Sequence, residues 1–406
     1  MLQQFINKHY FELFVFTLIL GLLLYGTIGF DGIDEICAFL LFIFMLFGVF
    51  HTKDWRFNKP FLVTIGIFLF YTIYSILINS NVKQAIIKDL IIEFKPYLAF
   101  FGTYLLYPSF SDRQKSLLRI ICIGFWFLLL GLGFMTLYDK FIINTVMFHN
   151  SYFAACIIAL SLIVLFCGSD TLRDKLVFIV MLSAGLFSTR SKFYGFFLIS
   201  VILILIAPKL KDFKINIKTI LFGIIVIGLL ILVGWNKLDL YFAVGGTEED
   251  IQSGLVARMM LYKTSLEVLV DYFPFGPGFA SFASYASGVY YSDLYYKYGL
   301  DGVWGINKID YSYIADTYYP CLTQFGVIGI LLFFYFFWYL IQKSYSLYIQ
   351  NLQEKYLVIT LLIIGFFLIE SIADATFTSH RGYFLMMLLG VVIAEQKQVT
   401  DKIVQK

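Results

Sequence analysis

The chain has too little charge for a water-facing surface. Of its 406 residues, 14% are Asp, Glu, Lys or Arg, against 60% hydrophobic and 20% aromatic. A soluble domain carries about 25% charged residues, so roughly half of the expected charge is missing. So apolar a chain is not a disordered one either. The 30 basic and 27 acidic side chains nearly cancel, at +3, which leaves no basic footprint for nucleic acid. Cysteine is scarce too. The five (Cys37, Cys122, Cys156, Cys167, Cys321) fall in or beside apolar runs. None has a paired spacing, so they read as small packing residues rather than disulfide or metal ligands. The chain lacks a Walker loop, a dinucleotide glycine fingerprint, a His pair at metal-binding spacing and a Gly-x-Ser-x-Gly elbow. Any reaction must then draw on an already activated substrate, and no metal or cofactor is expected. Internal repeats and low-complexity tracts are also missing.

What remains is apolar runs. A helix needs about 20 mostly apolar residues to cross the hydrocarbon of a bilayer. Twelve runs qualify: 11–30, 34–50, 61–78, 92–108, 117–137, 149–167, 175–189, 193–207, 217–235, 317–341, 356–374 and 380–394. The expected fold is an all-α polytopic membrane protein of about twelve spans. The pair 175–189 and 193–207 also reads as a hairpin dipping into the bilayer. With the N-terminus inside, 18 of the 30 Lys and Arg fall on the inner side. This excess puts both termini in the cytoplasm. Residues 1–235 and 316–406 carry the spans. Between them, 236–315 form one outward segment of 80 residues, with nine acids against five bases. Within it Leu255, Met259, Tyr262, Leu266 and Leu269 recur at helical spacing. The pattern predicts a surface-lying amphipathic helix, stopped by Pro274 and the turn through Gly276 and Gly278.

Six constellations carry candidate chemistry. Ser188 to Lys192 combines hydroxyls with Arg190 and Lys192, a set that suits phosphate. Arg258 borders the apolar face of the loop helix; the plain alternative is an ion pair with Glu267 or Asp271. Asp316, at the mouth of the tenth span, reads as a general base or as a helix N-cap. Glu370, Asp374, His380 and Arg381 flank the last hairpin and read either as functional or as an internal ion pair. Lys88, Asp89, Glu93 and Lys95 open the fourth span, with Lys88 paired locally; His149 and Asn150 open the sixth. Last, ten tyrosines between 285 and 319, with Trp304, offer apolar faces and hydroxyls to a sugar. An interfacial aromatic belt explains only those near span ends.

In this order the features resemble the O-antigen ligase and polymerase superfamily, the Wzy-type and WaaL-type membrane glycosyltransferases. Four segments carry the likeness: Phe148 to Ala154 with His149-Asn150; Leu186 to Lys192; Ala257-Arg258 through Pro274, Gly276 and Gly278; and Asp316 through Gly326 and Gly329. Together they cover roughly residues 145–340. The resemblance implies a GT-C-like helical fold in the bacterial inner membrane. It also implies an active site on the periplasmic face and metal-independent transfer of a glycan from undecaprenyl pyrophosphate. Carried over by position, Arg190 and Arg258 hold the pyrophosphate. Lys192 and Arg381 assist them, and His149, Lys95, Tyr318 and Tyr319 are expected around the substrate. The ligase branch has a His-Asn pair where this chain has Ala315 and Asp316. That departure favours the polymerase branch, in which the glycan passes to another lipid-linked repeat unit of an O-antigen or capsule. It leaves Asp316 as the expected base, with His380 as the alternate. The implied partners are the lipid-linked oligosaccharide, the growing polysaccharide, membrane lipid and a chain-length regulator. The rivals are a ligase acting on a lipid A core and a non-enzymatic flippase of lipid-linked oligosaccharide. The long outer segment and the absence of repetition disfavour the flippase.

Overall fold

A backbone in hydrocarbon must satisfy its own hydrogen bonds, and a helix does so within one segment. The computed structural model obeys this rule. It describes residues 2–29, 32–51, 59–208 and 255–404, and no strand occurs among them. The principal helices are α1 (Leu2–Phe16), α2 (Ile33–His51), α3 (Lys59–Leu77), α4 (Lys83–Leu106), α5 (Asp112–Met135) and α6 (Asn150–Cys167). They continue with α7 (Leu172–Ser183), α8 (Ser191–Ile206), α9 (Leu255–Asp271), α10 (Gly326–Asn351), α11 (Glu354–Glu370) and α12 (His380–Val404).

Five helical stretches among the described residues are long and apolar enough to cross a membrane: Gln3–Leu23, Lys59–Leu77, Asp112–Met135, Asn150–Cys167 and Tyr318–Asn351. The chain is a helical protein built for a membrane. The expected ninth span, 217–235, lies outside the described residues, as does the start of the long segment up to 254. The pair 175–189 and 193–207 forms α7, a 3-10 turn over Ala184–Ser188, and α8. Thr189 reverses the chain there at φ 54°.

The core runs along α6 and α12. From Phe153 to Phe166 every residue of α6 is buried, and so is every residue of α12 from Tyr383 to Ala394. By contrast α3 and α5 expose Leu62, Val63, Leu69, Phe127 and Leu128. An apolar exposed face of that kind is the one a lipid covers. The five cysteines are free, and all but Cys167 are fully buried.

The long segment is less detached than its length implies. Helix α9 forms over the expected residues, but its phase is different. Ala257, Leu261, Thr264, Ser265 and Val268 face the protein, while Leu266 and Val270 are exposed. The chain then turns back onto the bundle. Tyr74 donates to the Gly276 carbonyl (3.0 Å), and Asn81 donates to the carbonyls of Ala280 (2.7 Å) and Tyr290 (2.9 Å). Two glycines make this crossing possible. Gly276 (φ 77°) passes the backbone that leads into α10 so closely that a Cβ would stand 2.3 Å from the Gly326 nitrogen. Gly326 (φ 62°) would bring a Cβ within 2.3 Å of the Pro274 carbonyl. Both left-handed angles favour glycine as well.

Candidate functional site

The turn between α7 and α8 places Arg190 and Lys192 beside the C-terminus of α11. Lys192 Nζ donates to Glu370 Oε2 (2.7 Å) and to the carbonyls of Glu370 (3.3 Å) and Ala373 (3.1 Å). Arg190 Nη2 lies 3.4 Å from Glu370 Oε2 and 3.8 Å from Asp374 Oδ2. Arg381, in the first turn of α12, grips Asp374 through both terminal nitrogens, at 3.1 and 2.9 Å. Its guanidinium also lies 5.0 Å over the ring of Tyr152. The internal ion pair, one of the two readings of this group, is therefore present, and Arg190 shares its carboxylate.

Helix α9 brings in a fourth cation. Arg258 Nε donates to Asp316 Oδ2 at 2.8 Å, and Nη2 donates to the same oxygen. Asp316 is thus not the N-cap of the helix that follows. Thr317 holds that position, without a side-chain bond. Of the alternative partners of Arg258, Asp271 is taken by the Tyr298 hydroxyl (2.8 Å) and Lys297 (3.1 Å). Burial pushes the Asp316 carboxyl above the usual carboxylate range; Arg258 opposes the shift and Asp374 adds to it. The segment is held to the last hairpin by backbone bonds from Tyr318 (3.1 Å) and Tyr319 (3.3 Å) to the Ser371 carbonyl.

Two histidines flank these charges. His149 is the N-cap of α6, and its Nδ1 accepts from the Ser151 amide at 3.1 Å. Nδ1 is therefore the unprotonated nitrogen. His149 is within electrostatic range of Arg190, Lys192, Asp374 and Arg381. His380 stacks on Tyr25 (3.6 Å between centroids) and meets Tyr152 edge-on (4.9 Å).

Among the described residues four cations thus face three carboxylates: Arg190, Lys192 and Arg381 share Glu370 and Asp374, and Arg258 holds Asp316. Around them, buried polar atoms lack hydrogen-bond partners among the described residues: Asn150 Oδ1, Ser188 Oγ, Thr317 Oγ1, Ser371 Oγ, His380 Nε2 and Arg381 Nε. An unpaired buried polar group costs about 1–3 kcal/mol. Such a cluster offers positive charge and unpaired hydrogen-bonding atoms, the chemistry that a polar, anionic group would engage.

The other expected site residues lie elsewhere. Lys95 pairs with Asp34 and lies 3.2 Å from Glu35, both on α2. Nothing local in the sequence signals that pairing. Lys88 sits over the Tyr285 ring at 4.6 Å, while Asp89 and Glu93 are buried with no ion-pair partner among the described residues. Tyr318 is buried and donates to Glu93 at 2.8 Å; Tyr319 donates to the Leu368 carbonyl at 2.7 Å. The tyrosine series is no single surface. Tyr295 is also fully buried, bonded to Ser287 Oγ (2.7 Å), while Tyr285, Tyr296 and Tyr311 are exposed. Tyr25 and Tyr152, which frame His380 and Arg381, were not singled out from sequence. Tyr152 lies inside the His149-Asn150 motif, and that was the available signal. Among the described residues no group of His, Cys, Asp and Glu is arranged to hold a metal ion. Comparison with known protein families and with curated proteins gives no match.

Proposed function

We infer that the chain is a membrane glycosyltransferase of the polysaccharide-polymerase kind, acting on a glycan carried by undecaprenyl pyrophosphate. One observation carries the reading. Cations from three distant parts of the chain meet three carboxylates, with one positive charge in excess among the described residues, amid buried polar atoms that find no partner among those residues. A diphosphate has the charge and the acceptor oxygens to fill such a site. This reading takes the remaining apolar segments as further spans, about twelve in all, in a GT-C-like arrangement. It sets both termini in the cytoplasm and the arginines on the periplasmic side of a bacterial inner membrane.

The ion pairs then act as a latch. The donor's diphosphate engages Arg258 and displaces Asp316 from it. The freed carboxylate accepts the proton of the acceptor sugar's hydroxyl. That hydroxyl oxygen bonds to the anomeric carbon of the donor, and the bond from that carbon to the diphosphate breaks. The electron pair leaves with undecaprenyl pyrophosphate, whose growing charge Arg190, Arg258, Lys192 and Arg381 stabilise. His380, held between two tyrosine rings, is the alternate base. The glycan grows by one repeat unit.

Reconstitution tests this. Purified protein in liposomes receives the lipid-linked repeat unit, and the products are run on a gel. The expected result is a ladder. A single product that appears only with a lipid A core acceptor would make the chain a ligase. Movement of substrate across the bilayer without new bonds would sink both enzyme readings.

A further inference from the structure

Helices α3, α4 and α10 enclose a groove of 330 Å³, lined by Val63, Ile67, Phe68, Tyr97, Leu332 and Phe336 among others. Its lining runs along α3 from Lys59 to Tyr71, about 18 Å of helix at 1.5 Å per residue. That length is close to one leaflet of hydrocarbon, about half of the 30 Å core.

The two ends of the groove differ in charge. At one end stands Glu93, buried and bonded to Tyr318. A second carboxylate, Asp89, lies one helical turn away on α4. An anionic head placed there would find no cation among the lining residues of that end. At the other end stands Lys59, which lines the groove. Lys343 reaches the same mouth: its Nζ donates at 3.2 Å to the hydroxyl of Tyr339, another lining residue, and lies 4.4 Å over the ring of Tyr104. Neither lysine has a carboxylate partner among the described residues. Asp401, on the neighbouring α12, accepts from Tyr107 at 3.0 Å instead.

The groove is also walled off from the arginine cluster. Phe377, between Asp374 and Arg381, is fully buried. Its ring packs against Tyr318 (5.5 Å), Phe333 (5.4 Å) and Tyr97 (5.7 Å). A chain whose charged head sat among the arginines would have to pass these rings to enter.

We propose that this groove binds one acyl chain of an anionic membrane phospholipid, with the phosphate held between Lys59 and Lys343. The site is separate from the glycan site, and its test does not read glycan transfer. The full chain is purified in detergent with phosphatidylglycerol or with phosphatidylcholine of the same chains. Retained lipid is then counted by native mass spectrometry. Phosphatidylglycerol is retained preferentially. Lys59→Gln and Lys343→Gln each lower that preference about fivefold, the worth of one lysine at an anionic membrane surface, and Lys343→Arg keeps it. Ile67→Trp, which fills the groove, lowers retention of both lipids. Equal retention of the two lipids by the unaltered protein overturns the proposal. So does a preference unchanged in both glutamine variants, or one-for-one displacement of phosphatidylglycerol by added undecaprenyl pyrophosphate.

Discussion

The bundle has two charged ends, and they solve the same electrostatic problem differently. At the end opposite the arginine cluster four cations have acceptors of their own. Lys115 pairs with Glu395, Arg119 lies 3.5 Å from Asp174, and Lys175 lies 2.5 Å from Glu354. Lys355 donates to the carbonyls of Phe166 (3.3 Å) and Gly168 (2.7 Å). At the arginine end the acceptors are shared. Glu370 serves Arg190 and Lys192, and Asp374 serves Arg190 and Arg381. A buried ion pair seldom adds net stability, so neither end is explained as a stabilising device. The one-to-one end keeps compensated charge in a shielded place. The shared end leaves one positive charge over among the described residues, an arrangement that suits the anionic ligand proposed for it.

The comparison breaks if the arginine end proves as inert as the other. The largest effect is expected at Arg258. In the proposed reaction, replacement by Ala removes a donor to the leaving group and should slow ladder formation by about 10²–10³-fold. Arg258→Lys should recover little of this, because an ammonium lacks the planar fork. Full activity of Arg258→Ala would remove that residue from the mechanism. Asp316 comes next. Its carboxyl sits above the usual range and must be ionised to accept a proton. Ladder formation should therefore rise as pH rises through that raised value and fail below it. Asp316→Asn should slow the reaction by about 10²-fold or more and abolish this acid limb. An active Asp316→Asn with an unchanged pH profile would pass the role to His380.

The opposite end should respond in stability rather than in activity. Lys115 and Glu395 are mostly buried (18% and 8% exposed side chains). Removing one partner, as in Lys115→Met, should cost about 3 kcal/mol through the charge left behind. Replacing both with Met should restore stability to within about 1 kcal/mol, with normal ladders in liposomes. Thermal unfolding in detergent reads the first effect. A double variant that folds well but makes no ladder would mean that the ion pairs of this end also serve the reaction.

These pairs show where sequence reading stops. The apolar runs near α1, α3, α5, α6 and α10 were legible because length and apolarity alone decide whether a helix can span a membrane. Partnership was not. Arg190 and Glu370 lie 180 residues apart, and Arg258 and Asp316 lie 58 apart; no local spacing reports such contacts. Helix α9 marks the boundary sharply. Its period was legible, but its phase was not, because the stripe was drawn through the largest apolar residues. Beside a membrane, a large apolar residue is as well placed outward as inward, as exposed Leu266 and Val270 show. Small residues such as Ala257 and Ser265 mark the side where another segment approaches. Of the two readings of Asp316, base and cap, the cap fails for a related reason. Its position just before a helix was visible, but the arginine that claims its oxygen was not.

The smallest expected effect tests whether the comparison reaches into the loop. Asp271 takes the Tyr298 hydroxyl and Lys297, and these two partners hold its carboxyl below the usual range. A carboxylate so shifted stabilises the fold above its unfolded pKa and loses that contribution as pH falls through the folded one. Yet Asp271 and Lys297 are both about half exposed (45% and 47%), so solvent and salt screen the pair. Asp271→Asn should therefore leave the unfolding temperature at neutral pH unchanged and make a normal ladder. A clear loss of either would show that the turn from α9 through Pro274 to Gly278 depends on this surface pair for its register. Arg258 would then be held in place from the solvent side of the loop as well as by Asp316, and the under-compensated end of the bundle would extend beyond its four cations.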